Sequence, residues 1–585
     1  MTAANQASTS AASDLPQWGR VLIAGGTDWP NLGRKASKSG PPQTVNPEQP
    51  DLQGPHILRS VSNVRMSRVH TSHSSCHAVL VSVDGDAYII GRNEQGQCGL
   101  STKNLPNQPS GPAIWDTVKL GRATHFAPPL PADQKGDIVY AATGRSHTIL
   151  VTAAGSVYAT GLNSSGQCGL PLQNIVEGFQ KIETAPFIRE KDPVVAASCG
   201  VTFSMLLTAS GKVYAMGSSE KGQLGNGRTG EHFISGTKLA FDTFDEPFLV
   251  KALADKKILE LHCGQQHTIA RDDNGYVYTW GFGGYGRLGL GTQQDQLAPT
   301  LVPQFARENT LTRATHIYAG PTNSAVIDGQ RMFWLAGKWK NSGEGSAGQG
   351  FMTFKYLPDL MGCKIRNAGL GGVTLFCTAD EDPSVRGDHD ATMNVCWGQN
   401  AHHGELGLGE GKPRSAVKPM RCETLDGLSI LDIGAGQSTT YYIARNLGPT
   451  YAELARFPEV VPSSDACVVC NSDASSDENA LLECEKCENP WHLQCLDPRL
   501  SEVPEGEWHC PRCVVEGLGR AATAKASTTA TSAPPKNGTK RSAPAADEPA
   551  AATGDGQQEG DDETAAATAG MTRKGSRSAP KRRRA

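Results

Sequence analysis

One phrase, repeated along most of the chain, limits the possible folds more than any other feature. VYAMGSSEKGQLG (213–225), VYATGLNSSGQCG (157–169), AYIIGRNEQGQCG (87–99) and VYTWGFGGYGRLG (277–289) each join an apolar run to a glycine; seven residues later comes Leu or Cys, then Gly. VLIAGGTDWPNLG (21–33) keeps that spacing near the N-terminus. Two units are degenerate: FWLAGKWKNSGEG loses the Leu-Gly ending, and VCWGQNAHHGELG carries one extra residue before Gly407. The seven anchor glycines are Gly25, Gly91, Gly161, Gly217, Gly281, Gly337 and Gly398, spaced 56 to 70 residues apart. A phosphate loop is normally used once, whereas a period of this length marks stacked supersecondary units.

Each unit has a first half as well. TGRSHTILVTAAG, CGVTFSMLLTASG, CGQQHTIARDDNG and AGPTNSAVIDG run from a glycine through a polar triplet into an apolar strand and a turn. Short apolar blocks bounded by Gly and Asp-Gly predict strands joined by tight turns. Four such strands per repeat predict propeller blades. The last first half, GAGQSTTYYIAR (434–445), has no second half after it, and VLIAGGTDWPNLG has no first half before it. Joined, they complete one blade. The expected architecture is all-β: a seven-bladed β-propeller over residues 18–447, closed by N- and C-terminal strands.

This reading decides two further motifs. GFGGYG (281–286) fits the G-x-G-x-x-G pattern of dinucleotide sites, but such a site needs a helix after the glycines, and RLGLGTQQDQLAPTLVP is too rich in Gly and Pro to supply one. Gly281, Gly283 and Gly286 are therefore expected to serve turns and close strand approach. His147 and His267 hold one repeat-equivalent position, with His77 near it. No nucleophile or carboxylate accompanies them, so a turn or inter-blade hydrogen bond is expected rather than catalysis. No enzyme site and no small-molecule substrate are expected. No run approaches the roughly 20 apolar residues of a membrane span, and the N-terminus lacks the pattern of a secretory signal, so a reducing compartment and no membrane partner are expected. The net charge of −4 excludes little, because the charge is unevenly spread.

The repeat phrase is similar to that of the regulator of chromosome condensation family, over most of the first 447 residues. WGFGGYGRLG and VLIAGGTDWPNLGRK look most like its second, mitotic type. The likeness departs at 338–350 and at the insertion 231–257. It implies an interaction platform, and as an alternative a guanine-nucleotide exchange factor for a small GTPase of the Ran, Rho or Arf kind.

Nine of the 16 cysteines are scattered through the repeats and read as small buried side chains; seven crowd into 467–513. There the spacing is C-x2-C-x13-C-x2-C-x4-H-x2-C-x14-C-x2-C, and eight such ligands fill two closed tetrahedral zinc sites. The module, 466–514, is similar to a PHD finger. The resemblance implies an interleaved connection, with Cys467, Cys470, His492 and Cys495 on one Zn2+ and Cys484, Cys487, Cys510 and Cys513 on the other. It also implies binding to the N-terminal tail of a core histone. The aromatic cage of methyl-lysine readers is missing: Ala466 and Pro490 hold its positions and Trp491 is shifted by one. Glu485 and Glu488 instead resemble the acids of fingers that bind an unmethylated tail. In such fingers the backbone of Pro504 to Gly506 accepts the tail's amino terminus, Leu481, Leu482 and Glu483 add a strand to the peptide, and Trp508 is the core aromatic. A merely solvated acidic face is the alternative for Glu485 and Glu488.

Residues 1–17 and 515–585 have a composition too poor in apolar groups to fold, and 448–465 reads as a proline-punctuated linker that leaves the finger mobile. The far end gathers Arg573, Lys574, Arg577, Lys581, Arg582, Arg583 and Arg584, expected to act as a nuclear localisation signal or a nucleic-acid contact. The expected whole is a nuclear chromatin-associated adaptor.

Overall fold

The computed structural model describes residues 18–33, 48–100, 113–121, 137–381, 391–445, 451 and 453–517. Six antiparallel sheets of four strands follow one another in chain order, and a seventh takes strands from both ends of the repeat region. Blade 1 runs from Met66–His70 to Ala113–Gly121, blade 2 from Ile138–Thr143 to Ile175–Lys181, and blade 3 from Val194–Cys199 to Thr243–Leu249. Blade 4 spans Ile258–Cys263 to Gln296–Leu301, blade 5 Ala314–Ala319 to Phe351–Tyr356, and blade 6 Ile365–Leu370 to Ala416–Arg421.

Blade 7 is built from Ile430–Ala435, Thr439–Ala444, Arg20–Gly25 and Leu52–Leu58. Its seam pairs Arg20 with Ala444 through to Gly25 with Thr439 without a register break. The ring thus closes by backbone hydrogen bonds and leaves no open edge between its first and last blades.

The core lies between blades. Val79, Val81 and Ile89 of blade 1 pack with Ile138, Leu150 and Tyr158 of blade 2, and similar layers join each later pair of blades. The anchor glycines explain themselves here. Gly91, Gly161, Gly217, Gly281 and Gly337 adopt φ between +95° and +115°, where a side chain is strained. A Cβ on Gly281 would stand 2.6 Å from the Gln266 carbonyl oxygen, and one on Gly337 2.3 Å from that of Thr322. Each glycine lets the third strand pass over the carbonyl that starts the second.

Two insertions differ from a plain repeat. The segment after blade 3's third strand folds a small hairpin, His232–Ser235 against Lys238–Ala240. In blades 2 to 7 three residues separate the first and second strands, but blade 1 has six, 71–76. That longer loop carries His73, 3% exposed, into the central channel, a cavity of about 890 Å³ lined by the inner strands of all seven blades.

The segment expected to be a mobile linker is instead packed on blade 7. Arg456–Phe457 pairs in parallel with Leu52–Leu58 as a fifth strand, the Ile57 amide donates to the Ala455 carbonyl at 2.7 Å, and Tyr451 and Phe457 are buried. Burial of these two aromatic rings outweighs the flexibility suggested by the prolines.

Candidate metal centre and reading surface

The finger is a two-stranded sheet, Leu481–Glu483 against Pro490–His492, followed by the helix Pro511–Gly517. So little regular structure yields a core of only Leu482, Trp491, Leu493 and Leu496 around the cysteines, with Trp508 packed at its margin. The eight predicted ligands gather in two groups, Cys467, Cys470, His492 and Cys495, and Cys484, Cys487, Cys510 and Cys513. Within each group the ligand atoms lie within 4.8 Å of one another.

The surroundings suit a metal. The His492 Nε2–H donates to the Ala474 carbonyl at 2.7 Å, which turns Nδ1 toward the sulfurs, 3.2 Å from Cys470 Sγ and 3.9 Å from Cys495 Sγ. The His492 amide donates to Cys467 Sγ, and the Cys510 amide to Cys484 Sγ, so both sulfurs accept hydrogen bonds as thiolates do. Three sulfurs with one imidazole, and four sulfurs, are zinc donor sets, and each group can hold one Zn2+. Zinc bound there supplies folding energy to a module whose apolar core is small.

The predicted reading residues separate into three kinds. Leu482 is buried, so of that strand only the backbone, Leu481 and the exposed Glu483 face outward. Gly506, at φ +84°, is exposed and Pro504 half-buried, and the Trp508 carbonyl accepts the Glu485 amide at 3.0 Å. Trp491 is only 7% exposed, with the Arg512 guanidinium 5.7 Å from its ring centre. Glu485 and Glu488 do not form a solvated face: Glu485 pairs with Arg456 and Glu488 with Arg59. Local sequence offers no sign of these pairs, since Arg59 and Glu488 are 429 residues apart.

Further contacts seat the finger on blade 7. Arg20 Nε reaches Glu507 at 3.3 Å, Asn63 Nδ2 donates to the Cys513 carbonyl at 2.5 Å, and Ser62 Oγ lies 3.4 Å from His509 Nε2. Arg59 also donates to the carbonyls of Pro458 and Glu459, each at 3.0 Å.

In the propeller, the three histidines singled out from the sequence tie blades together. His77 Nε2 lies 2.7 Å from Thr148 Oγ1, His147 Nε2 2.8 Å from Ser204 Oγ, and His267 Nε2 3.0 Å from Ser324 Oγ. Burial pushes His77 and His147 down to about 3, so both rings are neutral. The GFGGYG stretch makes one 3-10 turn, Gly284–Gly286, and no helix follows. Arg287 beyond it is 1% exposed and donates to the carbonyls of Gly284 and Pro321, each at 2.9 Å, linking blades 4 and 5. The basic residues Arg573 to Arg584 lie outside the described residues.

Residues 20–442 match the RCC1-like domain and residues 467–513 the PHD-finger. The chain belongs to the RCC1-like domain family. Among curated members, Protein RCC2 of Mus musculus is 32% identical over 460 residues, covering 76% of this chain and 80% of the relative. Protein RCC2 of Homo sapiens is 31% identical over the same length. Among solved structures, human WBSCR16 superposes with a TM-score of 0.54 at 18% identity, covering 73% of this chain and 99% of its own. Prp20p of Saccharomyces cerevisiae, described with its binding properties to Gsp1p and histones, gives 0.54 at 15% identity, covering 75% and 94%. At such identities the two structures speak for the RCC1-like fold alone.

Proposed function

We propose that this RCC1-like protein is a nuclear chromatin-associated adaptor, in which the propeller is a protein-interaction platform and the PHD finger a zinc-dependent reader of a core histone N-terminal tail, with the unmethylated tail preferred. The observation that carries this is the finger's outer strand: among the described residues Leu481–Glu483 pairs on one side only, and the exposed Glu483 and Gly506 lie in the stretches that would meet a peptide. An outer edge without a strand partner binds an extended peptide by main-chain hydrogen bonds, here with the Leu481 amide already donating to Ser475 Oγ at 3.2 Å, and nearby acids favour a basic one. The absence of an exposed aromatic at Ala466, Pro490 and Trp491 argues against a trimethyl-lysine cage. Calorimetry of the zinc-loaded full chain with unmodified and lysine-trimethylated tail peptides tests the reading. Tighter binding of the unmodified peptide is expected; tighter binding of the methylated one rejects the preference. The basic residues Arg573 to Arg584 would serve import and contact with nucleic acid, and loss of nuclear accumulation on their removal is the corresponding test.

A second reading is favoured by the likeness to Prp20p, whose description names Gsp1p beside histones. Here the propeller acts as an exchange factor for a small GTPase, accelerating GDP release with no covalent chemistry of its own. Release of fluorescent GDP from a panel of small GTPases separates the two: acceleration of one supports exchange, and none, with EDTA release intact, leaves the propeller as a platform.

A further inference from the structure

Glu485 and Glu488 are the acids with which the finger would hold an arginine or lysine of a peptide, and both are already held by arginines of the same chain. The Arg59 side chain is 6% exposed and also bonded to two carbonyls, so its guanidinium is fixed in place before it meets Glu488. Arg456 belongs to the fifth strand of blade 7, so its position too is set by the propeller sheet. Arg20, 10% exposed in its side chain, anchors a third carboxylate, Glu507. Three arginines of blade 7 and its added strand thus face three glutamates of the finger. The outer edge of Leu481–Glu483 takes no part in this contact.

We infer that these pairs form a latch: the finger rests on blade 7 with its acids engaged, and a basic peptide opens the latch by taking Glu485 and Glu488 from Arg456 and Arg59. This rests on the tail-reading function proposed above. The physical requirement is simple. If the acids are engaged in most molecules, the apparent affinity for a basic peptide is lowered by the fraction of molecules in which they are free. Ion pairs that are part-buried and bonded to fixed guanidinium groups hold such a bias better than exposed pairs do. Opening has a second consequence: it uncovers Arg20, Arg59 and Arg456 together on the edge of the closing blade.

The test uses the zinc-loaded full chain and an unmodified core histone tail peptide. Calorimetry compares the wild type with the double variant Arg59→Glu and Arg456→Glu, which alters the latch without touching the finger. At least about tenfold tighter binding by the variant is expected. Because the variant could misfold, hydrogen–deuterium exchange across residues 59–64 in the wild type, where Arg59, Ser62 and Asn63 meet the finger, is the companion measurement, and saturating peptide is expected to raise it as the finger leaves. Equal affinities with unchanged exchange overturn the latch and leave the reading function intact. Absence of binding by both proteins overturns the reading itself, and peptide-driven opening with it.

Discussion

His147 Nε2 and Ser204 Oγ lie 2.8 Å apart across the boundary between blades 2 and 3, and the same hydroxyl reaches the Gln167 carbonyl at 2.8 Å. The hydroxyl's one proton goes to the carbonyl, so the neutral imidazole must be the donor and carries its proton on Nε2. His147→Ala removes that donor and opens space between blades. A loss of about 2–4 kcal/mol in urea unfolding is expected.

Acid should weaken the propeller through its buried histidines. Burial lowers His73, His77 and His147 from 6.5 to about 3. Between those values the unfolded chain binds protons that the folded chain refuses, so stability falls as pH drops below 6.5 and is unaffected by these groups above it. Each contributes up to about 1.4 kcal/mol per pH unit in that window. Unfolding free energies at pH 7, 6 and 5 should show the decline, with a shallower slope in His147→Ala.

Glu405 acts in the opposite direction. It occupies the repeat position held by Gln97, Gln167 and Gln223, is buried, and is raised by that burial from 4.5 to about 7. As pH rises through this window the unfolded chain ionises first, so stability falls. Its Oε2 accepts the His403 amide at 2.9 Å, a bond the glutamines make with Oε1 in their own blades. Glu405→Gln should therefore raise stability at pH 8, on the order of 2–3 kcal/mol, with little change at pH 4.5. Equal melting temperatures for both proteins at pH 8 would refute this.

Gly281→Ala and Gly227→Ala separate strain from collision. Both glycines have positive φ, +98° and +84°, but an added Cβ meets three backbone atoms within 3.2 Å at Gly281 and nothing within 4 Å at Gly227. About 1–2 kcal/mol is expected for Gly227→Ala. Gly281→Ala should cost clearly more, to the point of losing soluble protein.

Metal analysis of the full chain should give two zinc ions, and Cys484→Ser should retain one. Chelation should unfold the finger, because each site supplies on the order of 10 kcal/mol of folding free energy. The helix Pro511–Gly517 would then lose its protection from protease; retained protection would count against that account.

The blades and the zinc ligands were legible because their determinants are local. An apolar run ending in Gly217, with Leu224 seven residues on, repeats where a strand must cross a carbonyl, and Cys467 and Cys470 have just two residues between them because one ion takes both. Closure could be read as well, from a half-phrase missing at each end. The docking of the finger could not be read. Arg456–Phe457 is too short a strand to show periodicity, and Arg59 is far in sequence from Glu488. The placement of His73 had a usable signal, the six residues of TSHSSC where the other blades have three, but it emerges only when the loops are compared side by side.

The seam of blade 7 also sets the order of events during synthesis. Arg20–Gly25 leaves the ribosome first among the described strands, yet its partner, Thr439–Ala444, is made last in the propeller. At about 5–20 residues per second the first strand waits roughly 20–80 s for that partner. Throughout that interval an apolar strand, VLIAG, can pair with Leu52–Leu58 on one side but keeps its other edge free, and the nascent chain has to be shielded from its neighbours until the ring can shut.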